Sequence, residues 1–213
     1  MKFGVLGSGD VGKTLATGLV KHGHEAMLGS RSSGKLDDWL RENPRVKSGN
    51  FAQTAAFGDA VVLAVKGSAA LEALRLAGAE NLAAKTIIDV TNPIDESAAP
   101  VHGVLRFFTE TNDSLMERLQ REFANAHFVK AFNSVGSDFM VDPQFAGGKP
   151  TMFICGNSNE AKQTVAGILD QFGWETADMG RAESARAIEP LCLLWCIPGF
   201  LRNEWVHAFK LLH

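Results

Sequence analysis

A glycine-rich turn directly after the first apolar segment restricts the fold of this chain more than any other feature. Lys2–Leu6 has the composition of a buried strand, and a helical pattern runs from Val11 to His22. Between them lies the turn Gly7-Ser8-Gly9-Asp10-Val11-Gly12. A strand, glycines at this spacing and a helix are typical of the first βαβ unit of a Rossmann-type fold.

Each glycine of the turn has its own physical role. Gly7 permits the tight turn, Gly9 lets the backbone approach a pyrophosphate, and Gly12 lets the helix pack closely against the strand. Phosphates then lie at the helix N-terminus, where free N–H groups and the helix dipole favour negative charge. A carboxylate would repel them, so we expect Asp10 to point away and cap the helix. The turn therefore predicts a dinucleotide site.

Along the rest of the chain, apolar runs of strand length alternate with helical patterns. This alternation predicts an α/β fold with a doubly wound, mainly parallel sheet. Further strands are predicted at Glu25–Gly29, Asp59–Val65, Thr86–Val90, His127–Phe132, Thr151–Cys155 and Trp174–Ala177. Helices are predicted at about Lys35–Glu42, Ala69–Ala77, Ser114–Phe123 and Asn159–Phe172.

The C-terminal third follows one clear internal loop, Asp142–Pro150, which contains two prolines and a Gly-Gly pair. No composition shift accompanies this loop, so we expect a single domain over residues 1–213 with a small α/β extension from about residue 151. The final stretch is helical in pattern from Glu183 to Cys196. Ile197-Pro198-Gly199 is expected to break it before a second short helix.

Composition favours a small-molecule partner. The net charge of the 213 residues is only −3, whereas nucleic acids and anionic membranes require a concentrated basic face. We find neither a signal peptide nor an apolar run of about 18 residues, so we expect a cytoplasmic protein. The cysteines at 155, 192 and 196 do not have the spacing of a disulfide framework or a metal site.

The turn after the second strand bears on which dinucleotide binds. In NAD-binding members of this fold, an acidic residue about 20 positions beyond the glycine turn accepts hydrogen bonds from the ribose. This chain offers instead Ser30, Arg31, Ser32 and Lys35. An arginine fork, hydroxyls and a lysine are suited to a 2′-phosphate. The alternatives are a solvated polar turn and an NADP site, and the adjacent glycine turn favours NADP.

Several of these motifs together resemble one family. The glycine turn, Gly29-Ser30-Arg31, Asn92-Pro93 and Lys130-Ala131-Phe132-Asn133 resemble the NADPH-dependent coenzyme F420 reductases and the NADPH-oxidoreductase domain of membrane ferric reductases. The resemblance implies a Rossmann domain with a small C-terminal extension, commonly in a homodimer. It also implies hydride transfer between NADPH and a flavin or a deazaflavin, coenzyme F420, stacked beside the nicotinamide.

The resemblance also assigns roles by matching position. Ser8, Gly9, Asp10 and Val11 would line the pyrophosphate, and Ser30 with Arg31 the 2′-phosphate. Ala64 and Val65 would border the ribose, and the nicotinamide would lie near Asn92, Pro93, Ala131 and Asn133. One residue departs from the pattern: relatives often have a proline after Ala64-Val65, where this chain has Lys66. A lysine there favours a different acceptor, such as an anionic one.

Hydride transfer between stacked rings needs closeness and exclusion of water rather than a side-chain acid or base. Three functions stay open on the sequence. The first is a reductase of a deazaflavin or flavin. The second is a reductase of a small carbonyl or imine compound, with Lys66 or His102 donating the proton. The third is a non-catalytic NADP-binding regulatory protein. The acceptor, the direction of the reaction and the oligomeric state also stay open.

Overall fold

A computed structural model describes residues 1–32, 34 and 36–212. The predicted contribution of Lys35 lies outside the described residues. The strands are β1 Lys2–Leu6, β2 Glu25–Gly29, β3 Lys47–Gly49, β4 Ala60–Leu63, β5 Thr86–Asp89, β6 His127–Lys130, β7 Thr151–Gly156 and β8 Glu175–Asp178. The helices are α1 Asp10–Lys21, α2 Asp37–Glu42, α3 Phe51–Phe57, α4 Ala70–Ala77, α5 Ala79–Leu82, α6 Leu115–Glu122, α7 Asn159–Gln171, α8 Ala185–Ile188 and α9 Leu191–Arg202.

The strands form one sheet in the order β3-β2-β1-β4-β5-β6-β7-β8. Neighbouring strands from β3 to β6 are parallel, β7 is antiparallel to β6, and β8 is parallel to β7. The order of the first six strands is that of the Rossmann fold, so the predicted fold is confirmed. The chain leaves β1 toward β2 on one side and reaches β4 on the other, which opens a crevice at the carboxyl ends of β1 and β4.

Helices cover both faces of the sheet. On one face, Leu15 and Leu19 of α1 and Val165 of α7 belong to a buried cluster. On the other, residues of α3, α4 and α6 form a second cluster around Leu63 and Phe128. Strands buried on both faces are largely apolar, which is why β4 and the Ile87-Ile88 pair of β5 were recognisable in the sequence.

Two elements at the β2 edge had no counterpart in the predictions. The strand β3 is only three residues long and has no apolar pattern. Helix α3 begins with a capping box, in which Asn50 accepts from the N–H of Gln53 and the Gln53 side chain accepts from the N–H of Asn50. Asn and Gln at this spacing are a signal for a helix start that could have located α3.

The predicted break in the C-terminal helix was wrong. Helix α9 runs through Pro198 and ends at Arg202, where Asn203 takes up a left-handed conformation with φ of 55°. Pro198 removes one N–H from the helix, which nevertheless continues, with Gly199 packed against the ring of Trp205. The second short helix is also absent from the described residues. Instead, the tail passes β7, and the N–H of Thr151 donates to the Phe209 oxygen over 2.8 Å.

The helical stretch Ala182–Arg202 is long and apolar enough, by length and composition, to cross a membrane, with mean hydropathy 1.2. One such helix is weak evidence, since core helices of soluble proteins share these properties. Within this stretch Glu189 is buried and paired with Lys130. The expected absence of a membrane partner stays a prediction.

Candidate dinucleotide site

The glycine turn joins β1 to the N-terminus of α1. Gly7 has φ of 130°, and a Cβ there would lie 2.2 Å from the carbonyl oxygen of Ala64. A Cβ on Gly12 would lie 2.0 Å from the Gly7 carbonyl oxygen. A Cβ on Gly9, in contrast, would meet no atom within 4 Å. The fold itself therefore requires Gly7 and Gly12, whereas Gly9 borders open space that a ligand can fill.

A cavity of about 550 Å³ opens beside this turn, a volume in the usual range for small-molecule sites. The sequence predicted eleven of its lining residues: Gly7, Ser8, Gly9, Asp10, Val11, Ser30, Arg31, Ser32, Ala64, Val65 and Lys66. It missed six: Phe51, Ala69, Glu72, Ala73, Val90 and Ser137. Gly12 does not line the cavity, because it is packed beneath the turn.

The N-terminus of α1 borders this cavity. The helix begins at Asp10, and Gly9, with extended backbone, is its N-cap. The expectation that Asp10 caps the helix was wrong, because a residue already inside the first turn cannot occupy the cap position. The first amides of α1 have no intrahelical acceptor and can therefore bind an anion.

The turn after β2 is held by its own backbone and hydroxyl groups. The N–H of Ser30 donates to the Gly49 oxygen over 3.0 Å, and the Ser30 hydroxyl accepts from the N–H of Ser32 over 3.2 Å. Arg31 is exposed and, among the residues that the structure describes, forms no ion pair. Its guanidinium is thus available to a ligand.

Arg31 also lines a second cavity of about 440 Å³, which shares Ser30 and Ser32 with the first. This second cavity extends over β3 and the start of α3, where Asn50 and Gln53 lie. The two cavities give a continuous path from the glycine turn past Arg31 to β3.

Charges of both signs lie around the first cavity. Asp10 and Glu72 contribute carboxylates, which repel phosphate, so attraction comes from the α1 amides, Arg31 and Lys66. Lys66 is exposed and paired with Glu96, which follows β5. The hydrogen bond from Lys66 holds the pKa of Glu96 below its ordinary value.

The four residues expected at the nicotinamide lie together but not on a cavity wall. The Asn92 side-chain amide donates to the main-chain oxygen of Asn133 over 2.8 Å, and the Asn133 side-chain amide donates to Asn92 Oδ1 over 3.2 Å. Pro93, Ala131 and Asn133 are buried, and none of the four lines either cavity. Val90, two residues before Asn92, does line the first cavity. Direct contact of the four with a nicotinamide stays a prediction.

His102, the alternative proton donor, lies in the exposed turn between Val101 and Val104, with φ of 50°. It lines none of the cavities found among the described residues. The structure therefore brings Lys66, but not His102, to the candidate site.

Comparison with known proteins agrees with this geometry. Residues 2–93 match the family model described as NADP oxidoreductase, coenzyme F420-dependent. A crystal structure of a proposed F420-dependent NADP reductase from Arthrobacter sp. FB24 is 36% identical, with a TM-score of 0.94 and 100% of both chains covered. The chain belongs to the coenzyme F420-dependent family of NADP oxidoreductases.

Two further relatives are similar to this NADP oxidoreductase over most of its length. The F420-dependent NADP reductase of Methanothermobacter marburgensis is 27% identical, and the match covers 99% of each chain. The metalloreductase STEAP3 of Rattus norvegicus is 31% identical over 94% of this chain. The chain spans only 39% of that metalloreductase.

The cavities of this oxidoreductase fit NADP by their own chemistry. Open space over Gly9 leaves room for a pyrophosphate at the α1 amides, as a side chain there would not. Ser30, Arg31 and Ser32 present an arginine and hydroxyls where NAD-binding proteins present a carboxylate. These residues would hold the cofactor, with Arg31 discriminating between NADP and NAD.

Proposed function

We propose that this protein transfers hydride between NADPH and a deazaflavin, coenzyme F420, or a flavin-type acceptor. The observation that carries the proposal is the continuous path from the glycine turn to the Arg31 turn, in a chain of this family. The names of the relatives from Methanothermobacter and Arthrobacter support the deazaflavin. The family resemblance supports the flavin, and the name of the metalloreductase supports a metal as the final electron acceptor.

The residues of this chain would bind and orient the reactants. The α1 amides and Arg31 would anchor the phosphates, and the apolar wall of Val65 and Val90 would exclude water from the reacting rings. NADPH, when bound, supplies the hydride. Ring-to-ring transfer needs no side-chain acid.

Lys66 favours a second candidate, the reduction of a small carbonyl or imine compound. It lines the cavity, and 74% of its side chain is exposed. An ammonium group in this position can donate a proton to a substrate oxygen or nitrogen, or bind an anionic group of the acceptor. The non-catalytic NADP-binding protein is the third candidate.

Turnover assays distinguish the three. Purified protein is mixed with NADPH, and the absorbance of the reduced nicotinamide is followed as F420, FMN, riboflavin, or carbonyl and imine compounds are added. A ferric chelate is added with and without FMN. Oxidation with F420 or a flavin supports the proposal. Turnover only with carbonyl or imine compounds supports the second candidate, and tight NADPH binding without turnover the third.

The homodimer, the cytoplasmic location and the absence of nucleic-acid and membrane partners stay predictions. Sedimentation velocity of the purified chain measures the first directly.

A further inference from the structure

A fully buried lysine lies at the end of β6. The Lys130 ammonium is 2.7 Å from Asp89 Oδ2 and 3.1 Å from Glu189 Oε1, and it donates to the Thr91 oxygen over 2.9 Å. Asp89, Thr91 and Glu189 are buried as well. We call these four residues the lysine network. The ammonium thus donates one hydrogen bond, to the Thr91 oxygen, and forms ion pairs with both carboxylates.

The network holds the chain just before Asn92. Asp89 Oδ1 accepts from both the N–H and the hydroxyl of Thr91, over 3.0 and 2.7 Å. The Thr91 oxygen accepts from Lys130, so every polar group of Thr91 is bonded within the network. Val90, which lines the first cavity, lies between these two held residues. The network therefore sets the backbone at this part of the cavity wall.

The same network reaches the C-terminal extension. Glu189 follows α8, and its carboxylate accepts from the N–H groups of Leu115 and Met116 at the start of α6, over 3.1 and 3.0 Å. The neighbouring Ile188 oxygen accepts from the Asn133 amide over 2.9 Å. The extension is thus bonded to the Asn92–Asn133 pair.

These contacts also fix the orientation of Asn133. Its amide nitrogen faces two oxygens, those of Ile188 and Asn92, so the opposite orientation would place oxygen against oxygen. Asn92 is oriented in the same way, because its amide nitrogen donates to the main-chain oxygen of Asn133. Neither side chain can turn without losing these hydrogen bonds.

Burial alone lowers the pKa of Lys130, but the Asp89 and Glu189 carboxylates outweigh it and raise that pKa, so the lysine stays charged. Buried ion pairs often contribute little net stability compared with apolar packing. This one joins β5, β6, α6 and the segment after α8 through direct contacts.

We propose that Lys130, Asp89 and Glu189 are positioning residues that fix Val90, Asn92 and Asn133 for the nicotinamide half of the cofactor. This inference rests on the proposed function, because it assigns the nicotinamide to the carboxyl ends of β5 and β6. It also gives the C-terminal extension a part in the site, through Glu189.

Two variants test the proposal while limiting misfolding. Lys130→Met combined with Asp89→Asn removes one charge of each sign, leaves the network's net charge unchanged, and keeps an amide oxygen at position 89 to accept from Thr91. Glu189→Gln keeps an oxygen for the α6 amides but removes the charge. Leu169→Ala on α7, which is fully buried and outside the network and the cavities, is the control for a general loss of stability.

The readout separates the two halves of the cofactor. Affinities for NADPH and for adenosine 2′,5′-bisphosphate, which lacks the nicotinamide, are measured by calorimetry, together with kcat and KM. For both network variants we expect bisphosphate affinity within about twofold of the native protein. The ratio of NADPH affinity to bisphosphate affinity should fall about 10-fold or more, and kcat should fall by a similar factor. Small displacements at the reacting ring have large effects on the reaction.

A parallel loss of both affinities, as expected for Leu169→Ala, would overturn the proposal, as would native-like values for both variants. If the native protein binds NADPH but reduces no acceptor, the proposed function fails. The binding comparison then still decides whether the network positions the nicotinamide half.

Discussion

At the carboxyl ends of β1 and β2, the groups suited to phosphate are the α1 amides and the exposed Arg31. Each is positioned by the short turn that follows its strand. At the carboxyl ends of β5 and β6, the polar groups are buried and bonded to one another through the lysine network. The first end presents unsatisfied donors to a cavity. At the second end most polar groups are bonded internally, although the buried Asn133 Oδ1 has no hydrogen-bond partner among the described residues. A ligand can therefore add bonds at the glycine turn, while the lysine network acts by holding shape.

This difference has an energetic consequence. Changes at Gly9 or Arg31 should weaken binding and leave folding intact, because open space or solvent surrounds these two residues. Changes in the lysine network should affect folding first, because an unpaired charge in the interior is strongly unfavourable. Four substitutions, from the largest expected effect to the smallest, test this division between effects on binding and effects on folding.

Lys130→Met should have the largest effect. It leaves the Asp89 and Glu189 carboxylates without their cation, and removing one partner of a buried pair costs about 3–5 kcal/mol of unfolding free energy. Urea unfolding followed by tryptophan fluorescence measures the change. Lys162→Met is the matched control, because Lys162 pairs with the half-exposed Asp178 and should cost much less. Equal losses for the two lysines would contradict the division.

Gly9→Val should separate binding from folding. The new side chain enters open space, so urea unfolding should change little, but it fills the approach to the pyrophosphate and should lower NADPH affinity by about 100-fold. Gly147→Val is the control, since a Cβ on Gly147 would also meet no atom within 4 Å but would lie in a different loop, after β6. Unchanged NADPH affinity in Gly9→Val would show that no ligand approaches the turn.

Arg31→Ala should lower NADPH affinity by about 10- to 100-fold, because a hydrogen bond to a charged group contributes about 1.5–3 kcal/mol. NADH affinity should stay the same. Fluorescence titration with both cofactors measures the ratio. Arg41→Ala, an exposed arginine paired with Asp38 on α2, should change neither. Equal losses for NADPH and NADH would remove the assignment of Arg31 to the 2′-phosphate.

Lys66→Met should have the smallest effect on stability, because the Lys66–Glu96 pair is exposed. Lys66 lowers the pKa of Glu96, so the pair stabilises the fold above the ordinary glutamate pKa and loses that contribution as pH falls through the lowered value. In the variant, NMR titration should find the pKa of Glu96 raised toward its ordinary value. Arg75→Met, which frees Glu122 on α6, should leave Glu96 unaffected, and an unshifted Glu96 in Lys66→Met would contradict the pairing.

Local pattern was sufficient for β1, α1 and β2, but not for β3 and α3. The predicted bounds of β1 and β2 match the structure, and α1 differs by one residue at each end. β6 was predicted two residues too long, because Phe132 has φ of 59° and the chain turns there although its side chain is buried. A buried aromatic residue looks the same in the sequence whether it extends a strand or follows it.

The candidate site likewise contains residues that local sequence predicts and residues that only packing brings to it. The glycine turn and the Ser30–Ser32 turn are short segments whose residue types directly determine backbone shape and donor groups, so the sequence by itself determined them. Phe51, Glu72 and Ser137 line the cavity only because α3, α4 and the segment after β6 pack at this edge. Nothing in their neighbours along the chain indicates such a position.

The lysine network belongs wholly to the tertiary structure. The sequence placed Lys130 in a motif with Ala131 and Asn133, but it could not pair that lysine with Asp89, 41 residues earlier, and Glu189, 59 residues later. Local periodicity reports which face of an element is buried, whereas the partner of a buried charge depends on which elements meet there. Only the packed sheet, with the extension folded against α6, decided that the ammonium and both carboxylates share one interior site.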